Sequence, residues 1–319
     1  MRSTDLFIIG AGPIGISCAI EAKQRDLDFI IVDKGCLVNS LYNYPLGMQF
    51  FSSSDRLELD GIPFCSIAPK PNRNEALEYY RRVVDSKEIK PQLYEKVIGL
   101  DKDKDGTFII ETSKEYYKAK QVVIATGFFD LPNLMNVPGE ELEKVTHYFK
   151  EAHPYSNQKV AVIGASNSAI DAALACYRKG AEVTLIIRGP EVGPRVKYWV
   201  RPDIINRIEE GSITAFFNTE VTAITTDQLI VTSEGKSQAI DNNFVIAMTG
   251  YLPDFEFLKM ACIRLEGATL KPYYDPTTME TNIPGLYLAG VICGGLETHK
   301  WFIENSRDHA KKIVDHIMG

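Results

Sequence analysis

Leu6-Phe7-Ile8-Ile9-Gly10-Ala11-Gly12-Pro13-Ile14-Gly15 is the stretch whose reading decides the fold. Four apolar residues predict a buried strand, and the glycines that follow open a helix through Glu21-Ala22-Lys23. A second apolar run, Phe29-Ile30-Ile31-Val32, ends in Asp33, 18 residues after Gly15. Strand, Gly-x-Gly-x-x-Gly, helix, strand and acid together form the dinucleotide-binding fingerprint in its proper context. Gly10 makes the tight turn, Gly12 lets backbone approach a pyrophosphate, and Gly15 lets helix and strand pack closely. The helix start supplies N–H groups to the phosphates, and Asp33 is placed to accept from ribose hydroxyls.

The pattern recurs. Val160-Ala161-Val162-Ile163 runs into Gly164-Ala165-Ser166-Asn167-Ser168-Ala169, then a second helix, then Val183-Thr184-Leu185-Ile186-Ile187-Arg188. Each copy later reaches an apolar strand ending in Thr-Gly, at Thr126-Gly127 and at Thr249-Gly250. The second copy is altered. Ser166 and Ala169 replace glycines, Ile187 takes the acid's place, and Arg188 follows it. A carboxylate would repel a 2′-phosphate, whereas a guanidinium binds it with two parallel hydrogen bonds. The second site is therefore expected to prefer NADPH to NADH, with Arg195 and Lys197 close enough in sequence to join Arg188.

The chain has 319 residues, 45% of them hydrophobic and 24% charged, which suits about two globular domains. Its net charge of −7 argues against nucleic acid or an anionic membrane as partner. The six cysteines are scattered without a C-x-x-C, and with five histidines no metal-ligand spacing arises, so no metal is expected. The run Leu6 to Ile20 contains three glycines and a proline and lacks a cleavage-site pattern, and no apolar stretch approaches the ~20 residues of a membrane span. A cytoplasmic protein that engages no membrane is expected.

The expected fold class is α/β, with two three-layer Rossmann-like dinucleotide-binding domains, the second inserted into the first. The boundaries read as 1–128 with 252–319 for the first domain and 129–251 for the second. Asn74 to Lys87 reads as a helix capped by Asn74, Lys96 to Tyr117 as a hairpin, and Glu220 to Ser237 as a meander. In the tail, Pro284 to Gly290 reads as a buried strand and a terminal helix begins near Lys300.

These fingerprints, with Asn43-Tyr44-Pro45 and Gly285-Leu286-Tyr287-Leu288-Ala289-Gly290, resemble the thioredoxin-reductase-like flavoproteins over essentially the whole chain. Val38 to Pro45, Phe50 to Ser54, His147 to Glu151, Ala247 to Tyr251 and Phe302 to Asn305 are similar to the bacillithiol disulfide reductase subgroup. The resemblance implies an NADPH-dependent oxidoreductase with FAD in the first domain and NADPH in the second. It implies FAD contacts at Gly10, Gly12, Pro13, Ile14, Gly15, Asp33, Lys34, Asn43, Tyr44, Val97, Thr126, Gly127, Gly290, Val291 and Phe302. NADPH contacts would fall at Gly164, Ser166, Asn167, Ser168 and Arg188. The implied acceptor is a small-molecule disulfide such as bacillithiol disulfide, or a redox protein, and the implied assembly is a homodimer or homotetramer.

Three departures shape the chemistry. Residues 128 to 175 contain no cysteine, which excludes thioredoxin reduction through a C-x-x-C there. Val291 stands where the larger family usually has Asp, and Ile14 where the subgroup usually has Cys. Cys293, after Gly290-Val291-Ile292, is then the candidate redox thiol, against the reading of a small packing side chain. Tyr42, His299 and Trp301 are further candidates to flank the flavin ring, while His309 and His316 are given no catalytic role. A ferredoxin or flavodoxin NADP reductase is the main alternative, since it needs no cysteine. A flavin monooxygenase would need a linker motif that Phe149 to His153 does not match. A non-enzymatic redox sensor would bind nucleotide with negligible turnover.

Overall fold

The computed structural model describes residues Met1–Gly319 and has mixed α/β architecture. The chain divides into two compact units: Met1–Asn43, Met48–Leu131 and Tyr251–Gly319 form one, Tyr44–Gly47 and Pro132–Gly250 the other. The short excursion Tyr44–Gly47 departs from the continuous first segment expected. Its physical reason is main-chain pairing, since the Leu46 N–H donates to the Lys150 carbonyl at 2.8 Å.

In the first unit, strand Arg2–Ile9 lies between Phe29–Val32 and Tyr116–Ile124, parallel to both. The chain therefore steps from the first strand to one side and later returns on the other. That reversal is the switch point beyond whose strand ends nucleotides bind in open α/β sheets. Tyr116–Ile124 has two further neighbours: its first half pairs antiparallel with Phe108–Thr112, and its second half parallel with Leu286–Leu288. The tail thus completes the first unit's sheet. Its terminal helix, Asp308–Met318, packs on helix Pro13–Gln24, and Arg25 Nη1 reaches Asp315 Oδ1 at 2.6 Å. Leu6, Phe7, Ile8, Val122, Val123 and Ile124 are completely buried in this sheet, each contributing about 1.5–3 kcal/mol by leaving water.

The helix expected from Asn74 runs over Arg73–Ser86, and its cap is Asn72. Asn72 Oδ1 accepts the Glu75 N–H at 3.0 Å while Glu75 Oε2 accepts the Asn72 N–H at 2.8 Å. This reciprocal box outweighs the Asn74 reading. The terminal helix starts later than expected, as a turn Ile303–Ser306 followed by Asp308–Met318.

The second unit repeats the plan with a five-stranded parallel sheet. Its order is Thr214–Phe216, Glu182–Ile186, Lys159–Ile163, Phe244–Ala247, Val145–Thr146. Helix Asn167–Arg178 buries Ala169, Ile170, Ala173 and Leu174 against one face. Ile224, Leu229 and Val231 of a three-stranded meander cover Ala161, Ile163, Val245 and Ala247 on the other. The meander spans Thr219–Asp241, its third strand running on past the expected end at Ser237. Helices, sheet and meander make three layers. No helix is long and apolar enough to cross a membrane.

Candidate functional site

The three glycines of the first turn have different reasons to be glycine. Gly10 has φ +111°, and a Cβ there would lie 2.6 Å from the Ala125 carbonyl oxygen. A Cβ on Gly15 would lie 1.8 Å from the Gly10 oxygen. Both are demanded by the protein itself. Gly12 is not: its φ of −77° and ψ of 178° suit any residue, and a Cβ there meets nothing within 4 Å. Gly12 is the N-cap of helix Pro13–Gln24, whose first turn has neither capping side chain nor acid. The first intrahelical bond runs from Ile16 to Gly12, leaving the N–H groups of Ile14 and Gly15 for a phosphate.

Asp33 is fastened to this turn. Its Oδ2 accepts the Ala11 N–H at 2.8 Å and its Oδ1 the Gly35 N–H at 2.8 Å. Burial raises its pKa above the ordinary carboxylate value, and the two amide bonds oppose that. Each oxygen keeps a second lone pair, so Asp33 can still meet a ribose hydroxyl. Thr126 Oγ1, at the end of the neighbouring strand, is buried without a hydrogen-bond partner, a polar atom awaiting one from a bound group. Gly127 beside it has φ +74°, and a Cβ there would touch only Ser40 Oγ, at 4.0 Å. On the remaining side Gly290 has φ +85°, and a Cβ there would be 3.3 Å from Ile14 Cγ1. The structure thus gathers Gly10, Gly12, Pro13, Ile14, Gly15, Asp33, Thr126, Gly127 and Gly290. Val291 follows as the first residue of a 3-10 turn.

Other expected contacts lie in different settings. Lys34 Nζ is paired with Asp130 Oδ2 at 2.8 Å. Asn43 caps a short helix, its Nδ2 donating to the Asn39 carbonyl at 2.9 Å. Val97 is buried at the start of the hairpin, beside an irregularity of register before Gly99. Phe302 is half-exposed, with its N–H held by Asn305 Oδ1 at 2.7 Å. Tyr44 falls in the second unit.

In the second unit Gly164 repeats Gly10: φ is +129°, and a Cβ would be 2.6 Å from the Met248 oxygen. Ser166 has the extended backbone of Gly12, with φ −98° and ψ 179°, and is exposed. The side chain that Gly12 lacks is therefore tolerated here. Asn167 is engaged on both sides, donating through Nδ2 to the Arg195 carbonyl at 3.2 Å and accepting the Lys197 N–H at 2.8 Å. Lys197, read as a possible phosphate ligand, is buried, with its amine 2.7 Å from Asp171 Oδ2. That ion pair removes it from the ligand set. Ser168 and Arg188 are exposed, and Arg188 is the second residue after strand Glu182–Ile186.

The six cysteines are all unpaired. Cys293 is completely buried, and burial pushes its thiol far up. It is the third residue of its 3-10 turn, not a helix start that would favour a thiolate. Burial raises Cys18 and Cys176 to about 12, and raises Cys36 as well. The residue that the sequence reading passed over is His309, buried beside Gly290 and Cys293. Its signal was present: it stands one helical turn before Ile313, on the buried stripe of the terminal helix.

Two nucleotide turns of this build, one with an acid and one without, define a protein with two dinucleotide-binding units. Residues 7–290 match the family described as pyridine nucleotide-disulphide oxidoreductase, and the chain belongs to it. It is an enzyme of that family, dependent on FAD and NAD(P)H. Among curated proteins it is similar to the bacilliredoxin reductase Bdr of Bacillus subtilis, with 45% identity over 97% of this chain and 96% of that one. Among solved structures it is similar to the bacillithiol disulfide reductase Bdr (YpdA) of Staphylococcus aureus, at TM-score 0.97 and 42% identity over 100% and 99% of the two chains. It is likewise similar to the bacillithiol disulfide reductase Bdr (YpdA) of Bacillus cereus, at TM-score 0.97 and 42% identity over 99% of each chain.

Proposed function

We propose that NADPH, held by residues 129–251, reduces FAD held by residues 1–128 with 252–319, and that the electrons pass to a bacillithiol-derived disulfide. The reaction balances as NADPH + H⁺ + RSSR → NADP⁺ + 2 RSH. Bound FAD would supply the hydride acceptor for the nicotinamide and the two-electron donor for the disulfide. The protein's part is to hold and orient the nucleotides.

Gly12 admits the FAD pyrophosphate against the N–H groups of Ile14 and Gly15, and Asp33 accepts from a ribose hydroxyl. Thr126 Oγ1 and the turn at Gly290 and Val291 serve the flavin side, the Val97 backbone meets the adenine, and Lys34, Asn43, Gly127 and Phe302 are further contacts. Gly164, Ser166 and Ser168 cradle the NADPH pyrophosphate, and Arg188 takes the 2′-phosphate. Asn167 holds the loop that carries Arg195.

The observation that carries this reading is the asymmetry of the repeat: Asp33 in one copy, Ile187 then Arg188 in the other. The names of the relatives divide between a bacillithiol disulfide and a bacilliredoxin, so the acceptor is either that small disulfide or a redox protein bearing it. We place the protein in the cytoplasm, as a homodimer or homotetramer.

Steady-state NADPH oxidation tests the acceptor. Turnover is expected with oxidised bacillithiol or with a redoxin in mixed disulfide with it. Turnover with ferredoxin or flavodoxin alone would replace this reading by that of a one-electron reductase.

A further inference from the structure

One buried titratable group has no part in the reaction described above. His309 is 2% exposed, on the inward face of helix Asp308–Met318. Its Nδ1 accepts the backbone N–H of Gly290 at 3.2 Å, and the Cys293 sulfur lies 3.9 Å from the same nitrogen. The Trp301 ring meets the imidazole edge-on, with centroids 4.6 Å apart. Because a backbone N–H points at Nδ1, the ring proton belongs on Nε2. Burial and Lys312 disfavour the cation, with Asp308 opposing, and the pKa is held down at about 4. The ring is therefore a neutral acceptor near pH 7.

Gly290 has little freedom. Its φ of +85° suits glycine, and a Cβ there would press on Ile14, 3.3 Å from Cγ1. Ile14 in turn belongs to the first turn of helix Pro13–Gln24, at the nucleotide turn itself. A continuous line runs from the terminal helix, through the imidazole and the Gly290 turn, to the glycine turn. An apolar residue at 309 would fill the same space but leave the Gly290 N–H without a partner.

The structure assigns His309 as a positioning residue of the FAD site: its Nδ1 anchors the Gly290 turn against Ile14. This rests on the reading of the first unit as the FAD site. Cys293 then has a structural reason to be small and buried, as a neighbour of the anchor.

The test uses isosteres. The Oδ1 of asparagine falls where Nδ1 of histidine lies, whereas the Oε1 of glutamine falls where Nε2 lies. His309→Asn is expected to retain FAD with the wild-type visible spectrum. His309→Gln and His309→Leu are expected to hold FAD about tenfold more weakly, the cost of one orphaned N–H. Equal FAD affinity and spectrum in all four proteins would overturn the proposal, as would an Asn variant as weak as Leu. Far-ultraviolet circular dichroism of the apo forms separates lost FAD from lost fold. Should the Gln and Leu variants not fold, nitrogen NMR of His309 in the wild-type holoprotein decides. A bare, hydrogen-bonded Nδ1 supports the anchor, and a proton on Nδ1 overturns it. If the wild-type protein binds no FAD, the functional reading fails instead, and the same NMR measurement on the apoprotein still tests the anchor.

Discussion

The carboxylate of Asp33 accepts the backbone N–H of Ala11 at 2.8 Å, which fastens the end of the second strand to the glycine turn. The Ala11 carbonyl in turn accepts the Val38 N–H at 3.0 Å, so turn and following loop are one piece. The second unit keeps only the carbonyl half: Gly193 donates to Ala165 at 3.0 Å, and buried Ile187 stands where Asp33 would. The acid is therefore both a clasp and a ribose acceptor in the first site. Its absence from the second leaves room for the negative charge that Arg188 favours.

The two outer glycines and the middle one should separate fold from cofactor. Gly12→Ala is expected to leave apoprotein stability within about 0.5 kcal/mol of wild type, because the backbone and space accept a methyl group. It should nevertheless bind FAD at least about tenfold more weakly. Gly15→Ala, with its Cβ 1.8 Å from the Gly10 oxygen, should lose about 1–3 kcal/mol of stability. Thermal unfolding of the apoproteins, read beside FAD titration, checks both. Undiminished FAD binding by Gly12→Ala would remove the argument from open space.

Arg188→Ala is expected to raise KM for NADPH about 10- to 100-fold, the range for losing charge-assisted hydrogen bonds to a phosphate, and to leave kcat nearly unchanged. The KM for NADH should not move. Steady-state kinetics with both nucleotides measures this, and an equal effect on the two would place Arg188 outside the 2′-phosphate site.

Cys293→Ala should keep kcat within about twofold of wild type, since a thiol buried at 0% exposure with a raised pKa supplies no thiolate near pH 7. Single-turnover reoxidation of the reduced protein by the disulfide is the measurement. Loss of reoxidation in this variant alone would return Cys293 to the reaction.

His309 should make the apoprotein sensitive to acid. Its folded pKa of about 4 lies below the unfolded value near 6.5, so the unfolded chain takes up the proton first. The stabilisation is complete above about pH 6.5 and is lost as pH falls toward 4. At pH 5 the loss is about 2 kcal/mol relative to pH 7. Urea unfolding of wild type and His309→Asn at both pH values isolates the term, since other groups are common to the two. Parallel pH dependence in both proteins would contradict it.

Much of the fold was legible because periodicity and glycine spacing are local signals. The strand-turn-helix at Leu6 to Lys23 and its repeat at Val160 to Arg178 needed no long-range information. The alignment of Ile187 with Asp33 was also readable, since Gly10 bonds to Val32 as Gly164 bonds to Ile186. What depended on tertiary contact was not. Lys197 looked free until its partner Asp171, 26 residues earlier, came beside it. His309 looked idle because its partner Gly290 is 19 residues away in the chain. Cys293 looked reactive because it follows the Gly290 turn and Ile14 lacks the usual thiol, yet its side chain is wholly buried and burial decides its chemistry.

The central claim is that electrons enter from NADPH, reside on FAD and leave to a bacillithiol-derived disulfide. Anaerobic titration of the FAD-loaded protein with NADPH, followed by oxidised bacillithiol, tests it through the flavin spectrum. Bleaching near one equivalent of NADPH is expected, with rapid return of the oxidised spectrum on adding the disulfide or the redoxin that carries it. A flavin that NADPH reduces but neither of these reoxidises would contradict it.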